Sequence, residues 1–168
     1  MKHLVLILTS LFLLPAAASA CVCDKKATVE KAYAESAAIF AGKFIGSEYR
    51  RGLKSEFAEM DNEWRGKKRE YEVLVHRFEV ADWYKGDNST RQTILVTDEV
   101  RFLDDGSSTV SDCGLGYKEG ESYLIYAYGD EKAYDSGACT RTARLTRSSA
   151  DIAILKRLSQ KKSAKPAT

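Results

Sequence analysis

The chain has 168 residues, with 26 Lys and Arg against 24 Asp and Glu, a formal charge of +2, and 44% hydrophobic residues. A balance this near neutral, with the two signs interspersed, argues against a nucleic-acid partner, because counterion release needs a clustered basic surface. The basic run from Arg65 to Arg69 is bracketed by Glu63 and Glu70 and reads as a solvated loop.

Lys2 is followed by an apolar stretch from Leu4 to Leu14 and then by Pro15 to Ala20, the pattern of a secretory signal over residues 1–20. Ala18 and Ala20 flank Ser19 as a small-residue cleavage site, which places the cut before Cys21. The apolar run is shorter than the roughly 20 residues of a spanning helix, and no later segment approaches that length, so no transmembrane segment is expected. Residues 21–160 are then read as one exported domain, secreted or periplasmic and monomeric. Lipid anchoring of Cys21 is disfavoured, since Ala18 stands where a lipobox usually carries Leu.

Four cysteines, Cys21, Cys23, Cys113 and Cys139, make an even count in an exported chain and imply bridges. A Cys21–Cys23 ring fits disulfide geometry poorly. The two remaining pairings both tie the N-terminus to distant segments. A zinc site built from the four thiolates is disfavoured by the oxidising compartment and by the spacing.

Beyond the cysteine pair, Val29, Ala32 and Tyr33 recur at helical spacing between Thr28 and Ser36, with Thr28 as N-cap. A strand is expected from Ala37 to Ile45, with a bulge or tight curvature at Gly42. Residues Tyr49 to Glu70 form a densely charged excursion. A strand buried on both sides is expected over Tyr71 to Trp83, with Leu74, His76, Phe78 and Val80 on one face and Val73 and Val75 on the other. Lys85 to Asn88 makes a turn, Gln92 to Thr97 a strand, and Asp104 to Ser108 a loop. Tyr123 to Tyr128 and Cys139 to Leu145 are the last strands. Ser148 or Ser149 opens a closing helix with Ile152, Leu155 and Leu158 on one face, and residues 161–168 read as a disordered tail. Five strands with one long loop and flanking helices suggest a small Greek-key barrel, the OB-fold among others.

His76 is the only histidine left after cleavage, and no nucleophile or ligand set accompanies it in sequence. It reads as packing. The chain is therefore expected not to be an enzyme and to need no cofactor. Gly114-Leu115-Gly116 lacks the third glycine of a dinucleotide fingerprint and is a turn. Tyr123, Tyr126 and Tyr128 could present a stacking platform, but packing is the simpler role. Asn88-Ser89-Thr90 matches a glycosylation sequon.

Taken together, Cys21-x-Cys23, Ile39 to Lys43, Trp83 to Gly86, Thr97, Cys113-Gly114, Gly120-x-x-Tyr123-Leu124-Ile125 and Cys139 to Arg141 resemble the N-terminal, netrin-like domain of the tissue inhibitors of metalloproteinases. The likeness runs from Cys21 to about Leu145, and is of the single-domain bacterial type. It implies a five-stranded Greek-key OB barrel, mainly β, with short N- and C-terminal helices. It also implies bridges Cys21–Cys113 and Cys23–Cys139. The implied function is inhibition of a zinc metalloendopeptidase, with the amine and carbonyl of Cys21 chelating the catalytic zinc. An α-amine with an ordinary pKa near 8 loses its proton to the metal at little cost. Val22, where animal relatives usually carry Ser or Thr, would face the protease's specificity pocket. Cys23 and the stretch Ser111, Asp112 and Cys113 would complete the contact ridge. The alternative function is a non-inhibitory OB-type module that binds a protein or glycan, with disulfides that are structural only.

Overall fold

The computed structural model describes residue 23 and residues 26–51, 71–86, 92–103, 106–109, 115–130 and 133–163. Outside them lie the signal segment, Cys21, Val22, most of the charged excursion, the sequon, Ser111, Asp112, Cys113 and the last five residues. The described chain is mainly β, with a seven-stranded sheet and two α-helices.

Helix α1 spans Val29–Glu35. Thr28 opens it as expected: its backbone is extended and its hydroxyl accepts the Lys31 amide at 3.2 Å, satisfying one of the helix's free donors. Strand β1 follows over Ala38–Arg51, β2 over Tyr71–Lys85 and β3 over Gln92–Phe102. The short β4, Ser108–Thr109, folds back on β3 at Val100 and Arg101. Then come β5, Ser122–Asp130, β6, Ala133–Asp135, and β7, Ala143–Arg144. A 3-10 turn over Leu145–Arg147 leads into α2, Ser149–Ser163.

β1 organises the sheet. Its whole length runs antiparallel to β2, while its first half, Ala38 to Lys43, also runs antiparallel to β5. β2 continues antiparallel to β3, and β3 meets β6 in parallel at Leu95↔Tyr134 and Val96↔Asp135. β6 pairs in turn with the end of β5, and β7 with its start. The β1–β2 register slips between Ala41 and Gly42 and between Phe44 and Gly46, so β1 bends where the sequence suggested it would. A Cβ at Gly42 would stand 3.1 Å from the Glu79 carbonyl and 3.4 Å from the Phe40 ring. Gly46 has φ 140°, which a side chain would strain.

Because β1 and β5 are central, alternate residues of each go to opposite faces and both faces are buried. Phe40, Phe44, Tyr123 and Ile125 join Phe78, Val80 and Tyr134 on one side of the sheet. Ile39, Ala41, Leu124 and Tyr126 face the other way, where Val29 and Ala32 of α1 and Leu155 of α2 cover them. Ile39, Leu124 and Leu155 are fully buried, each contributing about 1.5–3 kcal/mol. The helices are thus a second layer.

Several boundaries differ from the sequence reading. β1 runs on to Arg51, so the charged excursion begins later than Tyr49. β3 extends to Phe102. In β2 the two halves bury opposite faces, Val73 and Val75 first and then Phe78 and Val80, while Leu74 and His76 are only half-buried. The expected strand from Cys139 to Leu145 is reduced to Ala143–Arg144. Hydroxyls take over there. Thr140 folds back on the Gly137 carbonyl through its amide at 3.1 Å and its hydroxyl at 2.8 Å. The Thr142 amide donates to Thr140 Oγ1 at 3.1 Å, and Thr142 Oγ1 accepts the Tyr126 amide at 2.9 Å. β6, which lies before this segment, is the strand that pairs with both β3 and β5. α2 carries its helix to Ser163, three residues into the expected tail.

Candidate functional site

The site candidate is the N-terminal segment, whose described part is Cys23 and then Lys26 and Ala27 leading towards α1. Cys23 is bonded to Cys139, 116 residues later, with a Cα–Cα separation of 5.2 Å. That bond is the second of the two bridges the family likeness implied, and it removes the four-thiolate zinc reading. Cys139 sits in the exposed turn after β6, and Cys23 is half-buried beside it. Cys21, Val22, Ser111, Asp112 and Cys113, the remaining expected contact residues, fall outside the described residues, as does the implied Cys21–Cys113 bridge.

A second attachment stands close to the first. Arg141 Nη1 donates to the Ala27 carbonyl at 2.7 Å. The rest of that guanidinium grips Asp151 in a fork, Nε to Oδ2 at 2.9 Å and Nη2 to Oδ1 at 2.7 Å. Tyr126 donates its hydroxyl to Asp151 Oδ2 at 3.0 Å. The ion pair is mostly shielded, with side-chain exposures of 24% for Arg141 and 16% for Asp151. Planar bidentate pairing of this kind is among the stronger charge-assisted arrangements. Burial pushes the Tyr126 hydroxyl far above its ordinary range, and the Asp151 carboxylate pushes it further. The hydrogen bonds to Asp151 raise Arg141 in turn. Both groups therefore hold their protons throughout the physiological range.

Helix α1 is fixed at its other end too. Lys85, at the end of β2, donates Nζ to the Tyr33 and Ala34 carbonyls at 2.7 and 3.0 Å, and lies 5.4 Å from the centroid of the Tyr33 ring. A cation on the last carbonyls of a helix satisfies acceptors that the helix leaves open.

The other sequence candidates resolve into packing. His76 sits opposite Ser47 across the β1–β2 pair, Ser47 Oγ lying 2.6 Å from Nδ1, and its ring meets Phe44 and Tyr117 edge-on at 5.5 and 5.0 Å. Tyr117 closes the same cluster against Phe78 and Tyr123. Tyr123 and Tyr126 are buried on opposite faces of β5, so they do not form one stacking platform. Among the described residues, no group of three His, Cys, Asp or Glu lies close enough to hold a metal ion. No described helix is long and apolar enough to cross a membrane.

The Arg141–Asp151–Tyr126 network is the feature of this region that the sequence alone did not disclose. Arg141 enters the sequence reading only as part of a motif, and Asp151 not at all. The contact of Arg141 with the Ala27 carbonyl spans 114 residues of chain and leaves no local signal. Comparison with family models finds none that matches the chain, and comparison with characterised proteins finds none similar to it.

Proposed function

We propose that this chain is an exported inhibitor of zinc metalloendopeptidases, built on a five-stranded Greek-key OB barrel of the kind found in the tissue inhibitors of metalloproteinases. The barrel reading draws on the circuit of pairings from β1 through β2, β3, β6 and β5 and back to β1, with its single parallel step between β3 and β6. The observation that carries the functional reading is the Cys23–Cys139 bridge. It anchors the third residue of the expected mature chain, so that a free Cys21 amine and carbonyl would be offered from a fixed support. A catalytic zinc keeps an open position for such a chelate. Inhibition would then need no group on this chain other than a correctly placed N-terminus, with Val22, Ser111 and Asp112 supplying contacts around it.

The decisive experiment titrates the mature protein against a panel of zinc endopeptidases beside a form with one Ala added before Cys21. Stoichiometric inhibition by the first and none by the second is expected. Equal potency of the two forms refutes chelation and favours a binding module with purely structural bridges.

A further inference from the structure

Two attachments hold the N-terminal segment, and they differ in kind. The disulfide joins Cys23 to Cys139, and the Arg141 guanidinium reaches the Ala27 carbonyl at 2.7 Å. One chain segment, 139–141, therefore grips another, 23–27, at both ends. A single disulfide fixes a distance but leaves torsional freedom about the bridge. A second point four residues along fixes direction as well. The guanidinium can serve this way because it is itself immobile: Asp151 at the start of α2 holds two of its nitrogens, at 2.9 and 2.7 Å, and Asp151 is in turn held by Tyr126 at 3.0 Å. Tyr126 is fully buried in the sheet. Rigidity thus passes from the core to the Ala27 carbonyl through three side chains.

We propose that Arg141 is the positioning residue of the N-terminal segment, a latch that sets the direction in which the segment leaves the fold and that works independently of the Cys23–Cys139 bridge. The consequence for potency rests on the inhibitor reading above, whereas the latch itself does not.

The test follows amide hydrogen exchange in the peptide covering residues 23–36 of the mature protein, with β1 and β5 as internal references. Arg141→Gln removes the fork, and Arg141→Lys keeps the charge but lacks the planar guanidinium that pairs with both Asp151 oxygens while a third nitrogen reaches Ala27. Exchange in the N-terminal peptide should rise about tenfold or more in Arg141→Gln, the scale of one lost charge-assisted hydrogen bond, and less in Arg141→Lys. Exchange in β1 and β5 should stay unchanged. The swap of Arg141→Glu with Asp151→Arg restores opposite charges but leaves no donor at position 141 for the Ala27 carbonyl. Continued fast exchange in the swap is expected, and recovered protection would overturn the proposal by showing that an ion pair alone suffices.

Should the Arg141 variants fail to fold, the double variant Cys23→Ala, Cys139→Ala makes the same decision. With Arg141 intact the N-terminal peptide should lose no more protection than β1 and β5 do, and loss to the free-peptide rate while those strands stay protected overturns the latch. Against a protease that the wild type inhibits, Arg141→Lys should lose potency about tenfold at unchanged thermal midpoint. A wild type that inhibits nothing on the panel ends the inhibitor reading, and the exchange result still judges the latch.

Discussion

Removing the Cys23–Cys139 bridge by replacing both residues with Ala offers a quantitative check on how the N-terminus is held. The bridge spans 116 residues. In the chain-entropy treatment a loop of that length stabilises the fold by about 4.8 kcal/mol at 25 °C, acting on the unfolded chain rather than on native contacts. For a domain whose whole stability is about 5–15 kcal/mol, the variant should be folded but marginal. With a urea m value of about 2 kcal/mol/M, the midpoint should fall by about 2.4 M. The m value should also rise, because an uncrosslinked denatured chain exposes more surface. Urea unfolding followed by circular dichroism measures both quantities. A lower midpoint with an unchanged m value would place the loss in the native state and contradict this account. A loss smaller than about 1 kcal/mol would mean that the unfolded chain was already restrained by something else.

Phe40→Ala empties a fully buried position whose ring lies 6.1 Å from Phe78 and 5.1 Å from Trp83, and should cost about 3–5 kcal/mol in the same assay. Gly42→Ala puts a methyl 3.1 Å from the Glu79 carbonyl at the bulge, and a thermal melt should register a loss of about 1–3 kcal/mol. Tyr126→Phe deletes one donor while Arg141 still holds Asp151, so the expected loss is near 1 kcal/mol. Alkaline stability should be limited by Tyr117 and Tyr126, both held above the ordinary value of 10.0 chiefly by burial. Below that pH, folded and unfolded chains are equally protonated at these groups and nothing is lost. Above it the native state keeps protons that the unfolded chain releases, so stability falls as pH rises. Unfolding measured across this range should decline less steeply in Tyr117→Phe and in Tyr126→Phe.

What the sequence disclosed follows from the range of the interactions involved. α1 was legible because its signal is local: a capping Thr28 and apolar residues one turn apart. The bend at Gly42 was legible because glycine inside an apolar strand has few other uses. β5 was legible as a run apolar on both faces. The segment around Cys139 was misread because its β-branched residues suit a strand, yet Thr140 and Thr142 use their hydroxyls to close a turn and to cap the Tyr126 amide. β6 was missed because three residues, Ala133–Asp135, carry no periodicity. Its place between β3 and β5 is a tertiary choice.

The same distinction explains why the N-terminal segment sits where it does. Nothing in residues 23–27 favours a regular element, and a segment of that length cannot bury enough apolar surface to order itself. Its described points, Cys23 and Ala27, are held by other elements. β5 supplies Tyr126, α2 supplies Asp151, the turn after β6 supplies Cys139 and Arg141, and β2 supplies Lys85 to the end of α1. Tyr126 and α2 meet in the layer between sheet and helices, so a perturbation that loosens the helix layer should loosen the N-terminus before it unfolds the sheet. Leu155→Ala provides that perturbation, since Leu155 is fully buried between α2 and the sheet, in the same apolar cluster as Tyr126, and its side chain takes no part in the hydrogen bonds of the Arg141 network. Its cost should be about 2–5 kcal/mol, with amide exchange rising in residues 23–36 and in α2 under conditions where β1 and β5 stay protected. Uniform acceleration across all four would mean that the helices and the sheet form one cooperative unit, and the N-terminus would then be as stable as the fold itself.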